Sequence, residues 1–230
     1  MPSHKNQHFV PRCHLAPFGV GYAGAAINVF NVRLQKGIRN APVKGQCSKS
    51  YFYGKDLSIE KILQGGEGLY GRLLRDITSP NYSLTDSDSL LIKRFICLQN
   101  SRTEMAAQRR ALATGDMRDA IFSTRAVKEE IDLSEKAIIV ESLRTCVRSW
   151  HVVDDLKVCL LKHKTNHSFI TSDDPAIVTN RLYIQKMKQQ KFGLDSAGEL
   201  LILPLTPRIC ALCFDRDVYS VGPILAVGLS

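Results

Sequence analysis

The sequence predicts a single α+β domain spanning residues 1–230, with strands from both ends of the chain forming a sheet and the central helices packed on it. Three observations lead there. β-like apolar runs lie in the first 50 residues and return only after Asp154-Asp155. Between them, from about Leu57 to Trp150, apolar residues recur at helical spacing. No internal repeat or low-complexity linker divides the chain, and 230 residues can bury one large core.

In chain order, Gln7-His8-Phe9-Val10-Pro11-Arg12 can bury Phe9 and Val10 between His8 and Arg12. Pro11 fixes an extended backbone, so the segment reads as an edge strand or arm. Gly19, Gly21 and Gly24 predict a loop, Ala26 to Val32 a strand and Leu34 to Gly37 a turn. Residues 40–50 read as irregular, leading into Tyr51-Phe52-Tyr53.

A helix is expected from about Leu57, capped by Asp56 or Ser58, with Ile59, Ile62, Leu63, Leu69, Leu73 and Leu74 on one side. Gly66, Gly68 and Gly71 formally match G-x-G-x-x-G. A dinucleotide site is rejected, because that motif must follow a strand and open a helix. Ser79-Pro80-Asn81 ends the helix. The next is capped within Thr85 to Ser87 and runs towards Gln99, Arg102 and Thr103. The span 104–125, with Arg109, Arg110, Asp116, Arg118 and Asp119, reads as a solvated helix. A last helix begins near Ser134, capped by Ser134 or Asp132, with Ile138, Ile139, Leu143, Val147 and Trp150 on its apolar face. The single Trp reads as core.

Leu156 to Leu161 and Ser168 to Thr171 read as a hairpin around Lys164-Thr165-Asn166, the second strand buried. It delivers Ser172-Asp173-Asp174-Pro175. Pro175 lacks an N–H and biases Asp174 away from the α region, so the strand ends in a turn with both carboxylates displayed. Paired carboxylates there can hold a divalent metal, orient an arginine or act as a base; the alternative is an Asx-turn. A basic segment follows over 181–191, with Arg181, Lys186, Lys188 and Lys191. Glu199 to Leu203 and Ile209 to Phe214 are the last strands, joined by Pro204-Leu205-Thr206-Pro207-Arg208.

Composition narrows the function classes. A 44% hydrophobic content is that of a globular chain. No apolar run approaches the roughly 18 residues of a membrane span. The polar Ser3-His4-Lys5-Asn6-Gln7 stands where a signal peptide is apolar, so a cytoplasmic protein is expected. Seven scattered cysteines fit reduced thiols rather than a disulfide framework. Of the +9 net charge, Lys5, Arg12, Arg33, Lys36, Arg39, Lys44 and Lys49 fall in the first 50 residues, where no acidic residue occurs. Such a basic end points to an anionic partner, with nucleic acid the commonest, or to a merely solubilising surface. No aromatic–basic stacking motif accompanies it.

Other motifs carry less. Cys210-x-x-Cys213 lies on a strand, where positions three apart face opposite ways, and has no second pair to complete a zinc site. His163 and His167 fall on a hairpin. There is no P-loop, H-E-x-x-H or G-x-S-x-G. Asp174 and Glu199 mimic the acidic pair of a metal nuclease, but Leu201 stands where its lysine would be.

His8-Phe9-Val10-Pro11-Arg12, followed by Leu15 and Phe18, resembles the opening motif of the domain-of-unknown-function 4238 family. The match continues through Tyr53-Gly54, Glu60, Glu67 and Gln99-x-x-Arg102-Thr103. It ends with Phe169-Ile170-Thr171-Ser172-Asp173-x-Pro175 and Pro204-Leu205-x-Pro207-Arg208, and so spans nearly the whole chain. Asp174 stands where the family often has Asn, and Cys13-His14 where larger apolar or aromatic residues are usual. Such proteins usually continue beyond the last motif, so a truncated C-terminus is expected. The resemblance implies a shared site made from His8, Arg12, Gln99, Arg102, Ser172, Asp173 and Arg208.

Two functions follow as expectations. In the first, the chain is a phosphodiester-acting, nucleic-acid-processing enzyme. His8 is the acid or base, Arg12 and Arg102 bind phosphate, and Asp173 with Asp174 orients His8 or holds a divalent metal; Gln99, Ser172 and Arg208 complete the substrate site. In the second, the chain is a binding, defence or regulatory module and the cluster is an arginine–aspartate network stapling the N-terminal arm to the hairpin. The first expectation requires the arm to pack beside residues 168–171 and Arg12 to approach Asp173.

Overall fold

The N-terminal arm forms β1 (Asn6–His8), a three-residue strand that Pro11 prevents from continuing. Instead of staying extended, the chain turns at Pro11, whose ψ is 146°, into the one-turn helix α1 (Arg12–Leu15). β2 (Ala26–Asn31) and β3 (Lys36–Pro42) form an antiparallel ribbon around the turn at 32–35. After a 3-10 turn at Val43–Gly45, β4 (Ser48–Ser50) pairs antiparallel with β1. Residues 40–50 are therefore largely ordered, contrary to the irregular stretch expected from sequence. β3 exposes every residue but Ala41, so it carries no apolar alternation to reveal it.

The computed structural model describes residues 5–55, 57–112, 135–187 and 193–221. The expected caps Asp56, Asp132 and Ser134, the charges Asp116, Arg118 and Asp119, and Lys188 and Lys191 lie outside them.

α2 (Ser58–Asp76) contains the three rejected glycines, so the formal G-x-G-x-x-G match lies inside a helix. Gly71 has a packing role. A Cβ there would stand 3.3 Å from Cys13 Cβ, and its absence lets α1 lie against α2. α3 (Asp86–Arg102) opens at Thr85, whose Oγ1 accepts from the Asp88 N–H at 3.1 Å as a capping residue should. Helix resumes over 104–112 after a break at Thr103, whose hydroxyl accepts from the Ala106 N–H. α4 (Glu135–Arg148) then packs against α3.

The C-terminal sheet comprises β5 (Lys157–Lys162), β6 (Ile177–Asn180), β7 (Glu199–Thr206) and β8 (Ile209–Phe214). Its order is β5-β8-β7-β6, antiparallel throughout. Leu201, Leu203 and Leu205 alternate inward from β7 onto Ile92, Phe95 and Ile96 of α3. Trp150 packs on this core. A second core joins Phe9, Val10, Leu15, Phe52 and Tyr53 to Leu63, Ile139 and Leu143.

The α+β class holds, and strands from both ends of the chain form sheets. They divide between two two-stranded ribbons near the N-terminus and the four-stranded C-terminal sheet. One hairpin is corrected. β5 pairs with β8, and residues 168–171 form no strand: Ile170 is 82% exposed, and Phe169 N–H donates to the Pro207 carbonyl instead.

Candidate functional site

Three successive residues of the arm are tied down by side-chain hydrogen bonds. Gln7 is fully buried; its amide donates to the Gly54 carbonyl at 3.1 Å and accepts from the Tyr53 N–H at 2.6 Å. The His8 carbonyl accepts from Arg102 Nη2 at 2.7 Å and from the Tyr53 hydroxyl at 3.1 Å. The Phe9 carbonyl accepts from Gln99 Nε2 at 2.7 Å. An arm whose strand is only three residues long cannot satisfy these groups by pairing alone, and α3 supplies what the ladder lacks.

Arg102 is the centre of this knot and has no exposed surface. Its Nε donates to the Tyr53 hydroxyl at 2.9 Å and its Nη2 pairs with Glu67 Oε1 of α2 at 2.8 Å. Burial works against the charge, but the Tyr53 and Glu67 partners outweigh it and hold the guanidinium pKa above its usual value. Burial pushes the Tyr53 phenol up to about 12, so it keeps the proton that it donates to His8.

Beside the knot lies an open cleft of about 400 Å³, lined by Asn6, His8, Arg12, Lys44, Glu60 and Glu67 among others. Arg12 is exposed, and its side chain has no hydrogen-bond or ionic partner among the described residues. The His8 imidazole Nε2 lies 3.2 Å from the Lys44 carbonyl. A carbonyl only accepts, so Nε2 carries the proton and Nδ1 holds the free lone pair. Burial, followed by the Arg12 and Arg102 charges, lowers the His8 pKa despite that hydrogen bond. The ring is thus neutral at physiological pH and able to accept a proton. Cys13 also lines the cleft, but burial and Glu67 raise its thiol to about 11, which disqualifies it as a thiolate nucleophile.

The aspartates do not join His8. Asp174 accepts from the Thr103 hydroxyl at 2.6 Å and forms an ion pair with Arg109. Its N–H donates to Ser172 Oγ at 3.1 Å, the local turn that was one reading of Ser-Asp-Asp-Pro. Asp173 is exposed, and no ion pair links it to Arg12 among the described residues. The orienting partner of His8 is the Lys44 carbonyl, not an aspartate. Arg208 lies elsewhere, donating to the Thr165 carbonyl across the turn. Glu199 of β7 feels the charges of Asp195 and Asp155 and, among the described residues, shares no interaction with Asp174. Among the described residues no three His, Cys, Asp or Glu side chains converge on a metal site.

The arm does reach residues 168–171, through a residue that sequence reasoning noted only as a departure. His14 is fully buried, with Nδ1 2.9 Å from the Tyr70 hydroxyl and Nε2 2.9 Å from Thr171 Oγ1. Burial lowers its pKa to about 3, so it is a neutral structural link.

A family model described as "Protein of unknown function (DUF4238)" matches residues 6–223. The chain belongs to the DUF4238 family. The comparisons with curated proteins and with solved structures gave no match. The motifs quoted for DUF4238 interlock in this chain: His8, Tyr53-Gly54, Glu67, Gln99 and Arg102 form the buried knot. Thr103 and Asp174 form a second one, with Arg109. Arg109 was missed because it lies among charges that read as a solvated face; the Thr103 cap six residues earlier was the available signal. Gln7 and Lys44 were missed because their roles depend on contacts 36 to 47 residues away.

The second knot is half exposed, so it should matter less for stability. Asp174→Asn keeps an acceptor for Thr103 and removes the charge facing Arg109, whose side chain is 44% exposed. Urea denaturation should show a loss of about 1 kcal/mol or less.

Proposed function

We propose that this DUF4238 chain acts on phosphodiester bonds of nucleic acid at the cleft beside His8 and Arg12. One observation carries the reading: a neutral imidazole stands in an open cleft beside the Arg12 guanidinium, and among the described residues neither its Nδ1 nor that guanidinium has a partner. His8 Nδ1 takes a proton from an attacking water or hydroxyl. The new P–O bond forms as the leaving-group P–O bond breaks, and the leaving oxygen is protonated from solvent. Arg12, with exposed Lys44 nearby, compensates the charge on the phosphoryl oxygens. Arg102 serves this site indirectly, by fixing the His8 backbone, and Asp173 and Asp174 take no part in it.

A second reading, a binding or defence module without chemistry, is favoured by how much of the polar cluster is consumed in structure: Arg102, Gln99 and Asp174 all have protein partners. A nuclease screen of wild type, His8→Ala and Arg12→Ala separates the two. His8→Ala should lower the rate about 10²–10⁴-fold, the usual share of a general base. The wild-type rate should fall as pH drops through the lowered His8 pKa, below 6.5, because protonation removes the Nδ1 lone pair. No cleavage by wild type, or cleavage unaffected by His8→Ala, would leave the module reading in its place.

A further inference from the structure

The β2–β3 ribbon projects an unusual surface. Val29 faces Ile38 and Ile27 faces Ala41, so these side chains share one face, whose inner end is buried. Phe30 points to the other face, opposite Gly37, and is 58% exposed. Glycine leaves the ring uncovered by any cross-strand side chain. Arg39 stands next to Ile38 at the bulge that shifts the register between Val29 and Ile27, two residues from Gly37. Arg33 stands in the turn at 32–35, and Lys36 pairs with Asn31 at the strand end. All three cations are exposed and have no ionic partner among the described residues. The ribbon itself contains no acidic residue. It also leads directly into the cleft, since Pro42 at the end of β3 is followed by Val43 and the cleft residue Lys44.

We infer that the β2–β3 ribbon is a binding arm for single-stranded nucleic acid, with a base stacked on Phe30 and phosphates held by Arg33, Lys36 and Arg39. The inference rests on the phosphodiester reading for its substrate class, and adds the strandedness and the element that holds the strand. Charge complementarity names the occupant: an all-cationic ribbon fits a polyanion. The uncovered ring selects among polyanions, because a phenyl face has no hydrogen-bonding group with which to read paired bases and stacks only on an unstacked one. Exposed Val32 and Leu34 at the turn could instead meet a lipid surface or a protein, and the test includes the lipid.

The test uses fluorescence anisotropy with a labelled single-stranded oligonucleotide, the corresponding duplex and anionic phosphatidylserine vesicles. Three proteins are compared: wild type, Phe30→Ala, and the triple variant Arg33→Gln, Lys36→Gln, Arg39→Gln. Phe30→Ala should weaken single-strand binding about tenfold or more, the usual worth of one stacked base. The triple variant should reduce the slope of log K against log salt by about 2, for three lost single-strand phosphate contacts. Circular dichroism verifies that both variants are folded. Single-strand binding that is unchanged in both folded variants, a preference for duplex, or binding to vesicles alone would overturn the inference. Hydrolysis of the small diester bis(p-nitrophenyl) phosphate reports on the cleft separately. Cleavage lost in His8→Ala but kept in the ribbon variants supports the cleft whatever the ribbon does. Ribbon-dependent oligonucleotide binding without any diester cleavage sinks the catalytic reading and leaves the arm standing.

Discussion

Arg102→Met should be among the most damaging single substitutions in the chain, costing about 3 to 5 kcal/mol. Methionine fills much of the volume but leaves the Glu67 carboxylate facing a largely buried site without its cation. It also removes one of the two donors to the His8 carbonyl and the donor to the Tyr53 hydroxyl. Domains are commonly stable by only about 5 to 15 kcal/mol, so the variant should be near or beyond its unfolding threshold at moderate temperature. Glu67→Gln keeps an acceptor and should cost distinctly less. The exposed Arg12→Ala should cost under about 0.5 kcal/mol, since water solvates everything it leaves behind. Urea denaturation of the three variants checks the order. If Arg102→Met matches Arg12→Ala, the knot contributes nothing and the arm is held by Phe9 and Val10 packing alone.

The second large effect is on the pH dependence of stability. Both carboxylate oxygens of Glu199 are buried without a hydrogen-bond partner, and burial, with Asp195 and Asp155 adding to it, raises the pKa from 4.5 to about 8. Between those values the folded chain keeps a proton that the unfolded chain releases, so stability declines as pH rises, by about 4 to 5 kcal/mol across the window. His14 acts in the opposite sense. Its folded pKa of about 3 lies below the unfolded 6.5, so stability declines as pH falls through that window. The two slopes cancel between pH 4.5 and 6.5, leaving a plateau with losses on either side. Glu199→Gln should abolish the alkaline loss and make the variant more stable than wild type at pH 8. Denaturation series at pH 5, 6.5 and 8 would show it; parallel curves for the two proteins would mean that Glu199 ionises freely in the native state.

The parts of the fold that could be read from sequence are those in which a strong periodicity agrees with burial. α3 announced itself through a cap within Thr85 to Ser87, and β7 through the apolar run that ends at Leu203. β3 could not be read, because its exposed residues carry no pattern, and the supposed strand at 168–171 was drawn from apolar residues of which Ile170 faces solvent. Polar residues show the same limit. Their identities were legible from the motifs, but their pairing was not, since Arg102 finds partners 35, 49 and 94 residues away. The sequence joined His8 to Asp173, whereas the chain gives His8 a backbone carbonyl and gives Asp174 an arginine that had looked like surface. Backbone partners of this kind leave no trace in residue type.

The hydrogen bond between His14 and Thr171 spans 157 residues, and it sets an order on the birth of the molecule. During synthesis the arm emerges before the C-terminal sheet, yet its buried imidazole has no second partner until the ribosome has delivered Thr171. At about 5 to 20 residues per second, that is a wait of roughly 10 to 30 seconds. Through that interval the His14 imidazole has only the Tyr70 hydroxyl as a side-chain partner. Closing so distant a contact is also a slow step in refolding. The arm therefore gains its last buried hydrogen bond only when the C-terminal half of the fold is in place.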